Sequence, residues 1–187
     1  SIPISYFLAF SKYKGKIIIE SIIVMPIILP PTVLGFYYLN YFGPQSTIGS
    51  FFNEYLGLNF AFSFNGILLG SVIYCMPFMV TPITNGLRTI PKSLIESTYL
   101  LNKGRINALW FVFLPVIKKS MWSAVLLTFA HTIGEFGLVL MIGGKMEETN
   151  VASVAIYDEM NAMNYEVANE YATILLVTSF VLVLVLN

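Results

Sequence analysis

Four apolar runs, each long enough to cross a bilayer, alternate with polar segments along the chain. A spanning helix needs roughly 20 mostly apolar residues. The pattern predicts such helices over Ile17 to about Tyr41, about Ala61 to Pro82, Met121 to Gly143, and about Tyr171 to Leu186. The opening stretch "IPISYFLAF" is only about half that length. It reads as the tail of a cut span, so a helix before Ser1 is expected. The chain ends on "VLVLVLN" without a charged anchor, and a short tail beyond Asn187 is expected too. The predicted fold class is all-α: one polytopic transmembrane bundle over residues 1–187, with five spans visible.

The polar segments orient these spans. Lys12, Lys14 and Lys16 fall in the first loop, and Arg88, Lys92, Lys103, Arg105, Lys118 and Lys119 fall between the third and fourth spans. Nine of the ten basic residues thus occupy two alternate loops, which the positive-inside rule assigns to the cytoplasm. Segments 42–60 and 144–170 hold one basic residue, Lys145, and seven acids, which makes them outer loops. Within 144–170, the apolar positions Val151, Val154, Ala155 and Tyr157 predict a short amphipathic helix.

Composition supports this reading. The chain is 57% hydrophobic and 11% charged, where soluble domains run at about 45–50% and about 25%. A formal net charge of zero gives no basic surface for nucleic acid. The single cysteine, Cys75, excludes an internal disulfide and reads as a small buried hydrophobe.

Enzyme chemistry is hard to place. An intramembrane aspartyl site needs two aspartates and the chain has one, Asp158; an H-E-x-x-H metal site needs two histidines and the chain has only His131. Neither a G-x-S-x-G elbow nor a G-x-x-x-x-G-K-[ST] phosphate loop occurs. No catalytic residue, metal site or bound cofactor is therefore expected, and work driven by ATP would need the ATP, with its Mg, on another subunit.

Two features inside the spans call for an explanation. "LPPTVLG" places Pro30 and Pro31 at the middle of the second span, with Thr32 following and Pro26 just before. Proline lacks the donor N–H and clashes with the carbonyl four residues back. Broken backbone at membrane depth survives where protein or a water-filled cavity resupplies hydrogen bonds, so this span is read as facing protein or a pathway; a simple kink is the alternative. The second feature is "HTIGEFGLVLMIGG", with Glu135 and its neighbours Gly134, Phe136 and Gly137. An ionisable residue within a span is a functional candidate by default. Glu135 is either a gate-lining residue or a structural acceptor of backbone amides near the outer interface; His131 reads as a packing residue.

The long cytoplasmic loop, residues 88–119, contains "SLIESTYLLNKG". Ser93-x-x-Glu96 has the spacing of a capping box, Leu94, Ile95, Thr98 and Leu101 share one helical face, and Gly104 offers a stop. A short helix follows, its apolar face either docking a partner or packing on its own spans.

The stretch "IESTYLLNKGRINALWFVFLP" resembles the E-A-A-x3-G-x9-I-x-L-P loop of importer permeases of the ATP-binding cassette class. Glu96 matches the glutamate, Ser97 and Thr98 stand at the two alanines, Leu114-Pro115 closes the motif, and Asn102 replaces the glycine, with Gly104 two residues on. Together with "LPPTVLG" and "GEFGLVLMIGG", the whole chain is similar to molybdate/tungstate transport permeases; sulfate/thiosulfate permeases share much of the pattern. The resemblance implies the type I importer permease fold in the inner membrane of a prokaryote. It also implies a permease homodimer with a shared pathway, two cytoplasmic ATPase subunits and an extracytoplasmic binding protein. Residues 93–104 would then be the coupling helix, and Pro30, Pro31, Thr32, Gly134, Glu135, Phe136 and Gly137 candidates for the pathway or gate. Rival readings are a sulfate/thiosulfate importer, an ion-coupled secondary transporter, and a purely structural membrane subunit. A secondary transporter would need a midplane site, commonly in repeated broken helices, and the second span has no obvious counterpart.

Overall fold

The computed structural model describes residues 1–100, 104–144 and 149–186, and among them every regular element is a helix. In chain order these are α1 (Ile2–Phe10), α2 (Lys16–Ile28), α3 (Pro31–Phe42), α4 (Thr47–Leu56), α5 (Phe64–Arg88) and α6 (Lys92–Leu100). Then come α7 (Arg105–Ala108), a π-helical turn (Leu109–Phe113), α8 (Leu114–Val116), α9 (Lys118–Ile133), α10 (Gly137–Gly143), α11 (Ala152–Asn161) and α12 (Tyr165–Leu186). Among the described residues, two helices are long and apolar enough to cross a membrane, Phe64–Arg88 and Tyr165–Val185, or four spans if the bent pairs Lys16–Ile28 with Pro31–Phe42 and Arg105–Val116 with Lys118–Ile133 count as one each. The short α1 precedes them, as the sequence pattern suggests.

Boundaries depart from that pattern at several places, three of them for a local reason. The fourth span is not one helix to Gly143: it stops at Ile133, and Gly134–Phe136 separates it from the short α10. A run read only for apolarity cannot register a break made by two glycines around an inward-turned glutamate. Upstream, apolar residues 105–116, which the charge pattern assigned to a loop, are helical and meet α9 at 79°. Pro115 has no N–H to give to a carbonyl one turn back, and the chain widens there into the π turn, Leu114 N–H bonding to Leu109 O. Finally, α12 begins at Tyr165 rather than near Tyr171, because Glu166 in its first turn suits the positive end of the helix dipole.

The chain folds into two compact units, Ser1–Met25 with Met76–Thr128, and Pro26–Cys75 with Phe129–Asn187. In the first, Leu87 and Phe113 are fully buried at the centre of a core completed by Ile83, Ile90, Ala108, Leu114, Ile117 and Ala124. A second cluster of Leu8, Ile23 and Val80 adjoins α1, and the buried Ser5 hydroxyl donates to Val80 O at 3.2 Å.

In the second unit, α10 packs along α3 and beside the first half of α5 through Tyr38, Tyr74, Leu138 and Ile142. Close approach explains a glycine here: a Cβ on Gly35 would come within 2.6 Å of Met141 Cβ. The expected amphipathic helix of segment 144–170 is α11, which buries Val154 completely and lies on α12.

Candidate functional site

The proline pair marks a break and a restart rather than a kink. Pro30 is extended (φ −55°, ψ 137°) and Pro31 occupies the first position of α3, where a missing N–H costs nothing. Its neighbour's carbonyl, Pro30 O, accepts the first N–H groups of the new helix, from Val33 at 2.9 Å and Leu34 at 3.3 Å. This restart brings Pro31 to a cavity of about 270 Å³ lined also by Tyr74, His131, Gly134, Glu135, Phe136 and Gly137. Five of the seven gate candidates thus converge on one cavity; Pro30 and Thr32 are exposed and stand outside its lining. Gly137 permits the approach, since a Cβ there would meet Pro31 Cβ at 3.1 Å.

Glu135 is 5% exposed, and among the described residues the groups beside its carboxyl are side chains rather than the backbone amides of the structural alternative. Cys75 Sγ lies 3.9 Å from Glu135 Oε2 and 3.2 Å from Thr132 Oγ1, and Ser71, one turn earlier on α5, lines a cavity with Glu135. Ser153, just inside α11, donates its hydroxyl to the Glu135 carbonyl at 2.8 Å. Glu135 Oε1 is buried without a hydrogen-bond partner among the described residues. The His131 ring packs on Tyr74 with centroids 4.9 Å apart, as a packing histidine would. A second cavity of about 310 Å³, lined by Ser71, Thr132, Ser153 and apolar side chains, reaches Glu135 from another side. Sequence reasoning named Glu135 but missed Ser71, Thr132 and Ser153, because lone hydroxyls in apolar runs carry no pattern.

The segment read as a coupling helix forms α6, with its start displaced. Pro91 O accepts from Leu94 N–H at 3.1 Å and Ile95 N–H at 3.3 Å, so the helix begins at Lys92 and Ser93 lies inside it rather than at its cap. The capping-box reading fails because Pro91 already fixes the entry: the residue before a proline is held out of helical geometry. Ser97 and Thr98 hydroxyls bond back to Leu94 O at 3.1 and 2.6 Å. Leu94 and Ile95 are half-buried against the core of their own unit and Thr98 is buried, so the apolar face points inward. What faces outward is Ser93, Glu96, Ser97, Tyr99 and Leu100, the last 86% exposed. Gly104 is not a left-handed stop either: at φ −57° and ψ 154° it is the extended residue that starts α7. Leu101 lies outside the described residues. Between α1 and α6 sits a cavity of about 540 Å³, lined by Tyr6, Phe10, Ile95, Tyr99 and Arg105, across which the Tyr6 and Tyr99 hydroxyls meet at 3.2 Å.

Residues 1–187 match the family described as the binding-protein-dependent transport system inner membrane component. The chain belongs to this family. It is therefore an inner-membrane transport subunit, a permease. A molybdenum transport system permease protein of Azotobacter vinelandii is 38% identical over 98% of this chain and 82% of its own length. A probable sulfate transport system permease protein of Chlorella vulgaris is 29% identical over 97% of this chain and 69% of its own length. Among solved structures, a bacterial transporter of the ATP-binding cassette class involved in alginate import superimposes with a TM-score of 0.81 at 17% identity, covering 100% of this chain and 69% of that one. That likeness is one of fold.

Proposed function

We propose that this permease is the membrane-spanning subunit of an ATP-driven importer of molybdate or tungstate. Two copies enclose the pathway, a pair of cytoplasmic ATPase subunits binds the ATP and Mg, and an extracytoplasmic binding protein delivers the oxyanion. The observation that carries the substrate is the 38% identity to a molybdenum permease over nearly the whole chain, against 29% for the sulfate permease. No Lys or Arg lies within the spans the sequence predicts, so the pathway holds no fixed cation to trap a dianion. Contacts there are brief, through hydroxyls such as Ser71 and Thr132 and through backbone amides, and selectivity rests with the binding protein. In this reading α6 is the lever, residues 93–104 couple it to the ATPase, and the cavity around Glu135 belongs to the gate.

The test is uptake by vesicles containing the whole complex. Molybdate or tungstate uptake should require both ATP and the binding protein. Robust uptake driven by an ion gradient without ATP would end this reading, and stronger uptake of sulfate than of molybdate would move it to the sulfate branch.

A further inference from the structure

Glu20 is the one acid in the apolar run of α2, and the structure gives it a partner. Arg88, the last residue of α5, bonds it through both guanidinium nitrogens, Nη1 to Oε1 at 3.2 Å and Nη2 to Oε2 at 3.0 Å. The same Nη2 lies 3.5 Å from Leu8 O near the end of α1, whose Leu8 and Ser11 carbonyls also receive Lys16 Nζ at 3.4 and 2.9 Å. Three cytoplasmic helix ends therefore meet at one charged cluster.

Arg88 stands three residues before Pro91, and the connection to α6 is stiff. Thr89 and Ile90 turn on hydrogen bonds to Gly86 O and Leu87 O, while Leu87 and Ile90 are buried in the same core on which Leu94 and Ile95 of α6 pack. A displacement of α6 must accordingly carry the end of α5 with it. Both side chains of the pair are 37% exposed, and an ion pair so open to water adds little to stability. Its two parallel bonds fix direction instead, which a bidentate guanidinium does and a point charge does not.

We propose that the Glu20–Arg88 pair is the contact through which movement of α6 is passed to α2, the helix that leads into the break at Leu29–Pro30. Both are positioning residues for transport, acting through the helices they join. The inference rests on the importer reading above.

The experiment measures oxyanion uptake and ATP hydrolysis together in vesicles of the whole complex, with molybdate as the probe. Glu20→Gln and Arg88→Gln should each lower the ratio of uptake to hydrolysis by about fivefold or more, the lower end of ordinary coupling between sites, with ATPase retention unchanged. The double exchange Glu20→Arg with Arg88→Glu should recover most of the ratio. If the neutral variants assemble poorly, Arg88→Lys keeps the charge and loses the fork, and a reduced ratio in that variant supports the contact. A wild-type ratio in the assembled variants, or a loss that the exchange does not recover, overturns the proposal while a coupled wild-type complex leaves the importer reading standing. Absence of ATP-dependent uptake by the wild-type complex overturns both.

Discussion

At the scale of single residues, Glu135 sets a buried carboxyl group among apolar neighbours of the second unit. Desolvating a carboxylate is costly unless hydrogen bonds replace the lost water, and here Cys75 reaches Oε2 at 3.9 Å while Oε1 has no hydrogen-bond partner among the described residues. A glutamine keeps the shape and removes the charge. If Glu135 serves the gate, Glu135→Gln should change the ratio of transport to ATP hydrolysis and leave assembly intact. Failure to assemble would mark a structural role, and wild-type behaviour in both assays would remove Glu135 from the site. A steric case lies nearby. Gly35→Ala places a methyl 2.6 Å from Met141 Cβ, an atom tied to backbone that cannot swing aside. Overpacking of this kind costs about 1–3 kcal/mol, and thermal unfolding in detergent should show the loss.

At the scale of elements, α6 illustrates what a sequence can and cannot say. Its existence and the shared face of Leu94, Ile95 and Thr98 were legible from spacing alone, whereas the direction of that face was not. Periodicity tells which side of a helix is apolar; only the neighbours decide whether that side meets a partner or its own chain. The break after Ile133 was hidden for a related reason, since apolar content is unchanged across it. The proline break was legible because proline acts on the backbone itself. The direction of α6 alters the expected mutational pattern. Ile95→Ala removes half-buried contact with the unit's own core, so it should destabilise the permease by about 1–2 kcal/mol, below the range for fully buried sites. Outward-facing Leu100 is 86% exposed and would be buried by a docked ATPase. Truncating such an anchor can cost about 2 kcal/mol or more, over tenfold in affinity. Leu100→Ala should therefore reduce the ATPase retained per permease after detergent extraction at unchanged stability, and Glu96→Ala should impair coupling more than binding. Full retention and transport in both variants would mean that α6 is not the lever.

At the scale of the whole molecule, charge follows the fold. Residues 1–25 and 76–128 carry nine of the ten basic residues with two acids, Glu20 and Glu96; residues 26–75 and 129–187 carry one basic residue, Lys145, with eight acids. Hydrophobicity sets where the chain enters the bilayer, but it is symmetric and gives no direction. Direction comes from lysine and arginine near the span ends, which resist translocation. The first loop and the 88–119 segment should consequently face the cytoplasm, and segments 42–60 and 144–170 the outside. Because Cys75 is the single cysteine and is buried, a Cys75→Ala background allows single reporters to be read cleanly. Lys14, Glu54, Lys92 and Glu166 are all exposed, so cysteines placed there perturb little packing. In sealed, right-side-out vesicles a membrane-impermeant maleimide should label Glu54→Cys and Glu166→Cys, and should reach Lys14→Cys and Lys92→Cys only after the membrane is opened. Labelling of Lys92→Cys in sealed vesicles would put α6 on the wrong side for a cytoplasmic ATPase, and the coupling role assigned to it would fall with that result.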